Sequence, residues 1–159
     1  MTKVDFYTGT ADKLRTVCQL SHKAMQHGLH TVISLPDAAS CDALDKLLWQ
    51  YPDTAFIPHA HCNDADVDQE PALSPSTALR TGLSEWPVVL SHDNDKFPHY
   101  DLLISLHNEC MPFFSRFERV VEIIGLNEED SRLGRERFKF YRDRGYELRH
   151  FDLARENQP

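Results

Sequence analysis

Short apolar runs and segments of helical period alternate along this chain from its first residues, and that alternation limits what it can fold into more than any other feature. Lys3–Tyr7 alternates as a strand does, and the turn Thr8-Gly9-Thr10 follows. Thr10 is placed to cap a helix from about Ala11 to His27. Leu14, Val17, Cys18, Ser21, Ala24 and Met25 share one face of it, and Gly28 supplies the left-handed stop. His30–Leu35 reads as a buried strand ended by Pro36. Asp37 or Ser40 caps the next helix, which carries Cys41, Leu44, Leu47 and Leu48 on one face and ends near Trp49, ahead of Pro52. Thr54–Ile57 reads as a third, short strand. Strand, helix, strand, helix, strand at this spacing calls for βαβ crossovers and parallel pairing.

Three more strands are predicted at Pro87–Ser91, Asp101–Leu106 and Val120–Ile124. A short helix begun by Pro112 and carrying Phe113, Phe114 and Phe117 precedes the last of them. Asn127 caps a long helix with Glu128, Glu129 and Asp130 in its first turn, where the positive end of the helix dipole favours carboxylates. That helix reaches Arg144 and stops at Gly145, and Tyr146–Asp152 is a terminal strand. The expected architecture is a three-layer α/β/α fold, Rossmann-like, around a mostly parallel, mixed sheet. Its 159 residues suit one domain, 1–159. The pattern breaks at about 62–86, where Asp, Glu, Pro, Ser and Thr replace the periodic apolar residues. This acidic stretch cannot bury a core of its own and reads as an irregular excursion from the domain.

Hydrophobic residues make up 41% of the chain, which excludes a mostly disordered protein. Seventeen Lys+Arg against 25 Asp+Glu leave a net charge of −8, a poor balance for strong non-specific duplex binding, which needs many phosphate contacts. No apolar run approaches the roughly 20 residues of a membrane span, and no hydrophobic leader follows Met1. A soluble, cytoplasmic protein is expected. The four cysteines, Cys18, Cys41, Cys62 and Cys110, form no CxxC pair and read as reduced, structural thiols.

The most tempting catalytic feature is Pro58-His59-Ala60-His61, followed by Asn63, Asp64, Asp66 and Asp68. A His-x-His pair at a strand end puts both imidazoles on one side of the pleat, and nearby carboxylates can complete a metal site. A metal-dependent hydrolase using His59 and His61 is therefore the alternative reading, with His92, Asp93, Asp95 or His107 as recruits. The further ligands do not announce themselves, and a solvated loop with one locally packed histidine explains the same residues. No GxGxxG, P-loop or GxSxG motif occurs, so the usual dinucleotide, phosphate and acyl-transfer fingerprints are missing. We assign no catalytic residue, metal or cofactor.

Charge is segregated. Arg132–Arg149 contains seven positive and three negative residues, a local +4, so the other 141 residues carry −12. Within the last helix Arg135, Phe138, Lys139 and Arg142 follow the i, i+3, i+4, i+7 pattern and share one stripe. Cations around an aromatic can hold a short acidic peptide, the pocket taking an apolar side chain while Arg and Lys pair with carboxylates. They can also grip single-stranded nucleic acid, or simply belong to an amphipathic helix whose aromatics are core.

Several blocks resemble one known family. Phe6-Tyr7, Leu44-Asp45-Lys46-Leu47-Leu48-Trp49, Phe56-Ile57-Pro58-His59, Pro87-Val88, Leu102–Leu106 and Gly134–Arg142 look like the chi subunit family of bacterial DNA polymerase III, in the same order nearly end to end. The acidic 62–86 stretch departs from it, as does Phe138, where a tyrosine often stands. The resemblance implies a non-catalytic accessory of the clamp-loader assembly. Such a subunit has an α/β fold, pairs with the psi subunit and binds the acidic, Phe-ended C-terminal tail of single-stranded DNA-binding protein, touching DNA mainly indirectly. It assigns tail binding to Arg135, Phe138 and Lys139, with Arg142 joining them on the shared stripe, and it places Trp49 near that groove. Phe113 and Phe117 match the region facing psi, although read by themselves they are core aromatics. His59 becomes part of a structural block.

Overall fold

The computed structural model describes residues 2–50, 59–62, 87–92, 97, 99–107 and 109–153, with the backbone alone at 59–62. The chain runs β1 (Lys3–Thr10), α1 (Lys13–Gln26), β2 (Thr31–Ser34), α2 (Ala38–Gln50), β3 (His59–Cys62), β4 (Val88–Ser91) and β5 (Leu102–Ser105). A short 3-10 turn (Phe114–Arg116), β6 (Arg119–Gly125), α3 (Glu128–Asp143) and β7 (Glu147–Asp152) complete it. Seven strands form one sheet in the order β3-β4-β2-β5-β6-β1-β7, and every pair is parallel, in line with the mostly parallel sheet expected and without the antiparallel member of a mixed one. The expected strand at Thr54–Ile57 and the acidic stretch beyond Cys62 lie outside the described residues.

Local chemistry sets the element ends. Asp12, rather than Thr10, caps α1, its Oδ1 accepting the Arg15 N–H at 3.2 Å. Thr10 stays in β1, and its hydroxyl lies 2.6 Å from that of Thr16. The Asp37 carboxylate accepts the Ser40 N–H (2.7 Å) as α2 begins, and Asn127 accepts the Asp130 N–H (2.6 Å) as α3 begins. Gly28 and Gly145, at φ of +73° and +83°, follow α1 and α3 in the left-handed region that a side chain disfavours.

The pleat divides the interior in two. Ile33, Leu90, Leu102, Ile104, Val121 and Ile123 join Val17, Cys18, Leu44 and Leu48 of α1 and α2 in one apolar cluster. Val4, Phe6, Val32, Leu103, Val120 and Ile124 join Tyr141 of α3 and the aromatics around the 3-10 turn in the other. Helices therefore cover both faces, the expected three layers. Phe113 and Phe117 belong to this second cluster at 5% and 1% exposure, with ring centroids 4.8 and 5.5 Å from Phe97. They are core aromatics and form no exposed patch. By themselves the two residues read as core aromatics, and the structure agrees; it is the psi-facing role implied by the resemblance that finds no exposed side chain here.

Two polar devices tie these elements together. Arg149 of the edge strand β7 grips Asp5 of β1 with two hydrogen bonds of 2.9 and 3.1 Å, fixing the last strand in register. On the opposite face of the sheet Glu122, wholly buried in β6, accepts from Arg137 Nε (3.0 Å) and from the Tyr141 hydroxyl (2.8 Å). Burial pushes the Glu122 carboxyl up to about 7, against the pull of Arg137 and of the Tyr141 hydrogen bond. The folded-state value exceeds the ordinary 4.5, so the stabilisation from this proton is full below 4.5 and is lost as pH rises through 7. Arg137 is itself only 4% exposed, so it is no surface cation. Arg137→Met should cost about 3–5 kcal/mol at high pH, where it strands a buried carboxylate. The cost should shrink near pH ~5, where Glu122 takes a proton. Urea unfolding at the two pH values, with the double change Arg137→Met/Glu122→Gln recovering much of the loss, checks this.

Candidate functional site: a cleft between the last helix and the edge strand

Where α3 crosses from β6 over β1 to β7, it leaves a cleft of about 230 Å³ along its flank. Phe6, Ile124 and Phe138 make the apolar floor, Ser131, Gly134 and Arg135 one wall, and Thr8 and His150 the other. The space lies below the roughly 300–1,000 Å³ of sites for drug-sized ligands and suits a single side chain. Phe138 is half-buried against Phe6, ring centroids 5.1 Å apart and edge-on, so it shapes the floor while one side stays open.

Gly134 lets the helix come this close. A Cβ there would overlap Ile124 Cδ1 and lie 2.8 Å from its Cγ1. The helix start is tied down as well. Asp130 accepts from the Gly125 N–H at 2.6 Å and from Lys13 Nζ at 3.0 Å. Burial opposes the charge of Asp130, yet these two bonds hold its carboxyl below the ordinary range.

The cations of α3 sort by partner. Arg137 is buried on Glu122, Arg132 lies between Glu129 and Glu136, and Arg142 is 3.5 Å from Asp143. Arg135 and Lys139, one turn apart and both exposed, have no ion-pair partner among the described residues. An apolar cleft beside two unneutralised cations can take an apolar side chain and pair with carboxylates next to it.

Of the residues singled out from sequence, Arg135 and Phe138 line the cleft, and Lys139 and Arg142 continue the exposed stripe of the same helix. Trp49 is not brought to them. It is 61% exposed at the end of α2, whose Leu44 and Leu48 pack on the opposite face of the sheet. His59 and His61 occupy alternate positions of β3, and their side chains lie outside the described residues. Phe6, Thr8, Ile124, Ser131, Gly134 and His150 were missed as site residues. The signal for Phe6 and His150 is the β1–β7 register that makes them neighbours, which local periodicity does not reveal.

A family model described as "DNA polymerase III chi subunit, HolC" matches residues 1–149. The chain belongs to the DNA polymerase III chi subunit family. Members are non-catalytic accessory subunits of the replicase, which removes the hydrolase reading of His59 and His61. The chain is 34% identical over 159 residues to DNA polymerase III subunit chi of Pseudomonas aeruginosa, covering 98% of this chain and 99% of the relative. It is 26% identical over 132 residues to the Escherichia coli subunit of the same name, covering 83% and 80%. Among solved structures, T4 UvsW superposes with a TM-score of 0.61 at 10% identity, over 96% of this chain but 42% of that one. The C-terminal domain of the DEAD-box protein Dbp5 superposes at 0.57 and 10% identity, over 96% and 91%. These likenesses show a shared α/β fold.

Gly134→Ala tests the close approach. In an open helix interior this change gains about 0.5–1 kcal/mol. Here the added methyl meets Ile124, so the chi-family chain should lose about 1–3 kcal/mol. Chemical denaturation reads the sign directly.

Proposed function

We propose that this chain links the replicase to single-stranded DNA-binding protein by holding that protein's acidic, Phe-ended C-terminal tail in the α3 cleft. The observation that carries the reading is the pairing pattern on α3. Cations facing inward or along the helix are neutralised, while Arg135 and Lys139 have no ion-pair partner among the described residues and stand beside an apolar cleft sized for one side chain. The aromatic side chain enters over Phe6 and Phe138, and Arg135 takes a carboxylate in a two-pronged pair. Lys139 adds a point charge one turn on, with Arg142 extending the stripe. A net charge of −8 fits a protein that recognises an acidic peptide through a local patch and meets DNA mainly through its partner.

Family membership also supports pairing with the psi subunit and work in the cytoplasm. No helix among the described residues is long and apolar enough to cross a membrane. Phe113 and Phe117 offer psi no surface, being buried in the lone chain, so that contact falls to other residues.

Titration of a fluorescent acidic peptide ending in Phe tests the reading. Arg135→Ala should weaken binding roughly ten- to a hundredfold, the worth of one charge-assisted hydrogen bond. Lys139→Glu should do worse than Lys139→Ala, because it adds repulsion, and binding should weaken as salt screens the patch over about 8–10 Å. Phe138→Ala should cost affinity while leaving the salt dependence nearly unchanged. Parent-like binding by both Arg135→Ala and Lys139→Glu would refute the assignment.

A further inference from the structure

We propose that His150 of the edge strand, held by Thr8, is the second anion-contacting wall of the cleft and a specificity-determining residue for its acidic occupant. This rests on the cleft being the peptide site, and adds to it a residue from the element opposite the helix. The parallel register sets His150 beside Phe6, so the imidazole stands at the edge of the apolar floor. It is exposed, and Thr8 Oγ1 lies 2.7 Å from its Nε2. Nδ1 has no hydrogen-bond partner among the described residues. With Nε2 occupied by Thr8, the free ring atom left for a ligand is Nδ1.

A threonine hydroxyl both donates and accepts. When it donates to Nε2, the neutral ring carries its proton on Nδ1 and can donate to a carboxylate. When the ring gains a second proton, the same hydroxyl accepts from Nε2, and Nδ1 still donates, now with full charge. The Thr8 contact therefore suits both forms, and a bound carboxylate favours the charged one. A peptide whose aromatic side chain fills the cleft has its flanking carboxylates on both sides of the ring. Arg135 meets one side and His150 the other.

Few other charges face this imidazole. On β1 the cleft-side residues are Phe6 and Thr8, while Asp5 lies on the other face, bound to Arg149. On β6 the cleft residue is Ile124, and Glu122 is buried under Arg137 and Tyr141. Asp152 follows two residues on along β7, and α3 contributes Arg135. A ring that carries the second proton adds charge to the donor, so binding should tighten on acidification while the peptide carboxylates stay ionised.

The test is anisotropy titration of the acidic Phe-ended peptide against the full chain at about pH 8 and about pH 5.5, with circular dichroism confirming the fold of each variant. The parent should bind more tightly at the lower pH. His150→Ala should weaken binding about two- to tenfold at the higher pH and by more at the lower, flattening the pH response. His150→Gln keeps a donor without the charge, so it should recover the first loss but not the second. Thr8→Val, which leaves the ring unheld, should lose part of both. If Arg135→Ala weakens binding as expected while His150→Ala matches the parent at both pH values, this inference fails and the peptide site stands. If the parent itself does not bind, both fall together.

Discussion

Helix α3 lies where it does because a strand glutamate is buried beneath it. Glu122 interrupts the apolar run of β6, and once inside the sheet's cover it needs a charge and a donor. Arg137 and Tyr141, one turn apart, supply both from α3. That fixes the helix's rotation. With 137 and 141 turned inward, and Gly134 letting the backbone settle on Ile124, Phe138 falls at the flank and Arg135, Lys139 and Arg142 point to solvent. Asp130, held by Gly125 and Lys13, fixes the helix start in the same way. The surface stripe is thus the other side of a buried ion pair.

The sheet contributes the remaining wall. A parallel edge strand is a weak place to keep a binding residue unless something fixes its position, and Arg149 gripping Asp5 does so. Because side chains alternate, Arg149 on one face of β7 and His150 on the other are set by the same register. The fork that stabilises the edge also orients the cleft.

Much of this was legible in the sequence. The strands at β1, β2 and β4–β7, the three helices, the Asn127 cap, and the Gly28 and Gly145 stops are local signals and match the sequence reading. The strand β3 at His59–Cys62 does not, and Thr54–Ile57 lies outside the described residues. What failed were features set by long-range pairing. Arg137 looked like one more cation of a basic helix, since its partner is fifteen residues away, although Glu122 inside Val-Val-Glu-Ile-Ile was a readable hint. Phe113 and Phe117 read as core by themselves and are core; the psi-facing role carried over from the family is what their burial leaves without a surface. Trp49 carried a family association, yet α2 packs on the face opposite α3. The cleft itself needs β1, β6, α3 and β7 together, which no window of sequence contains.

The most direct test of the account is to map, by amide NMR shifts on the full chain, where the acidic Phe-ended peptide lands. The account predicts the largest changes at Thr8, Ser131, Gly134, Phe138 and His150, on one side of the sheet, with Leu44 and Trp49 on the other side unmoved. Changes concentrated on α1 and α2, with the α3 flank and β7 silent, would contradict it.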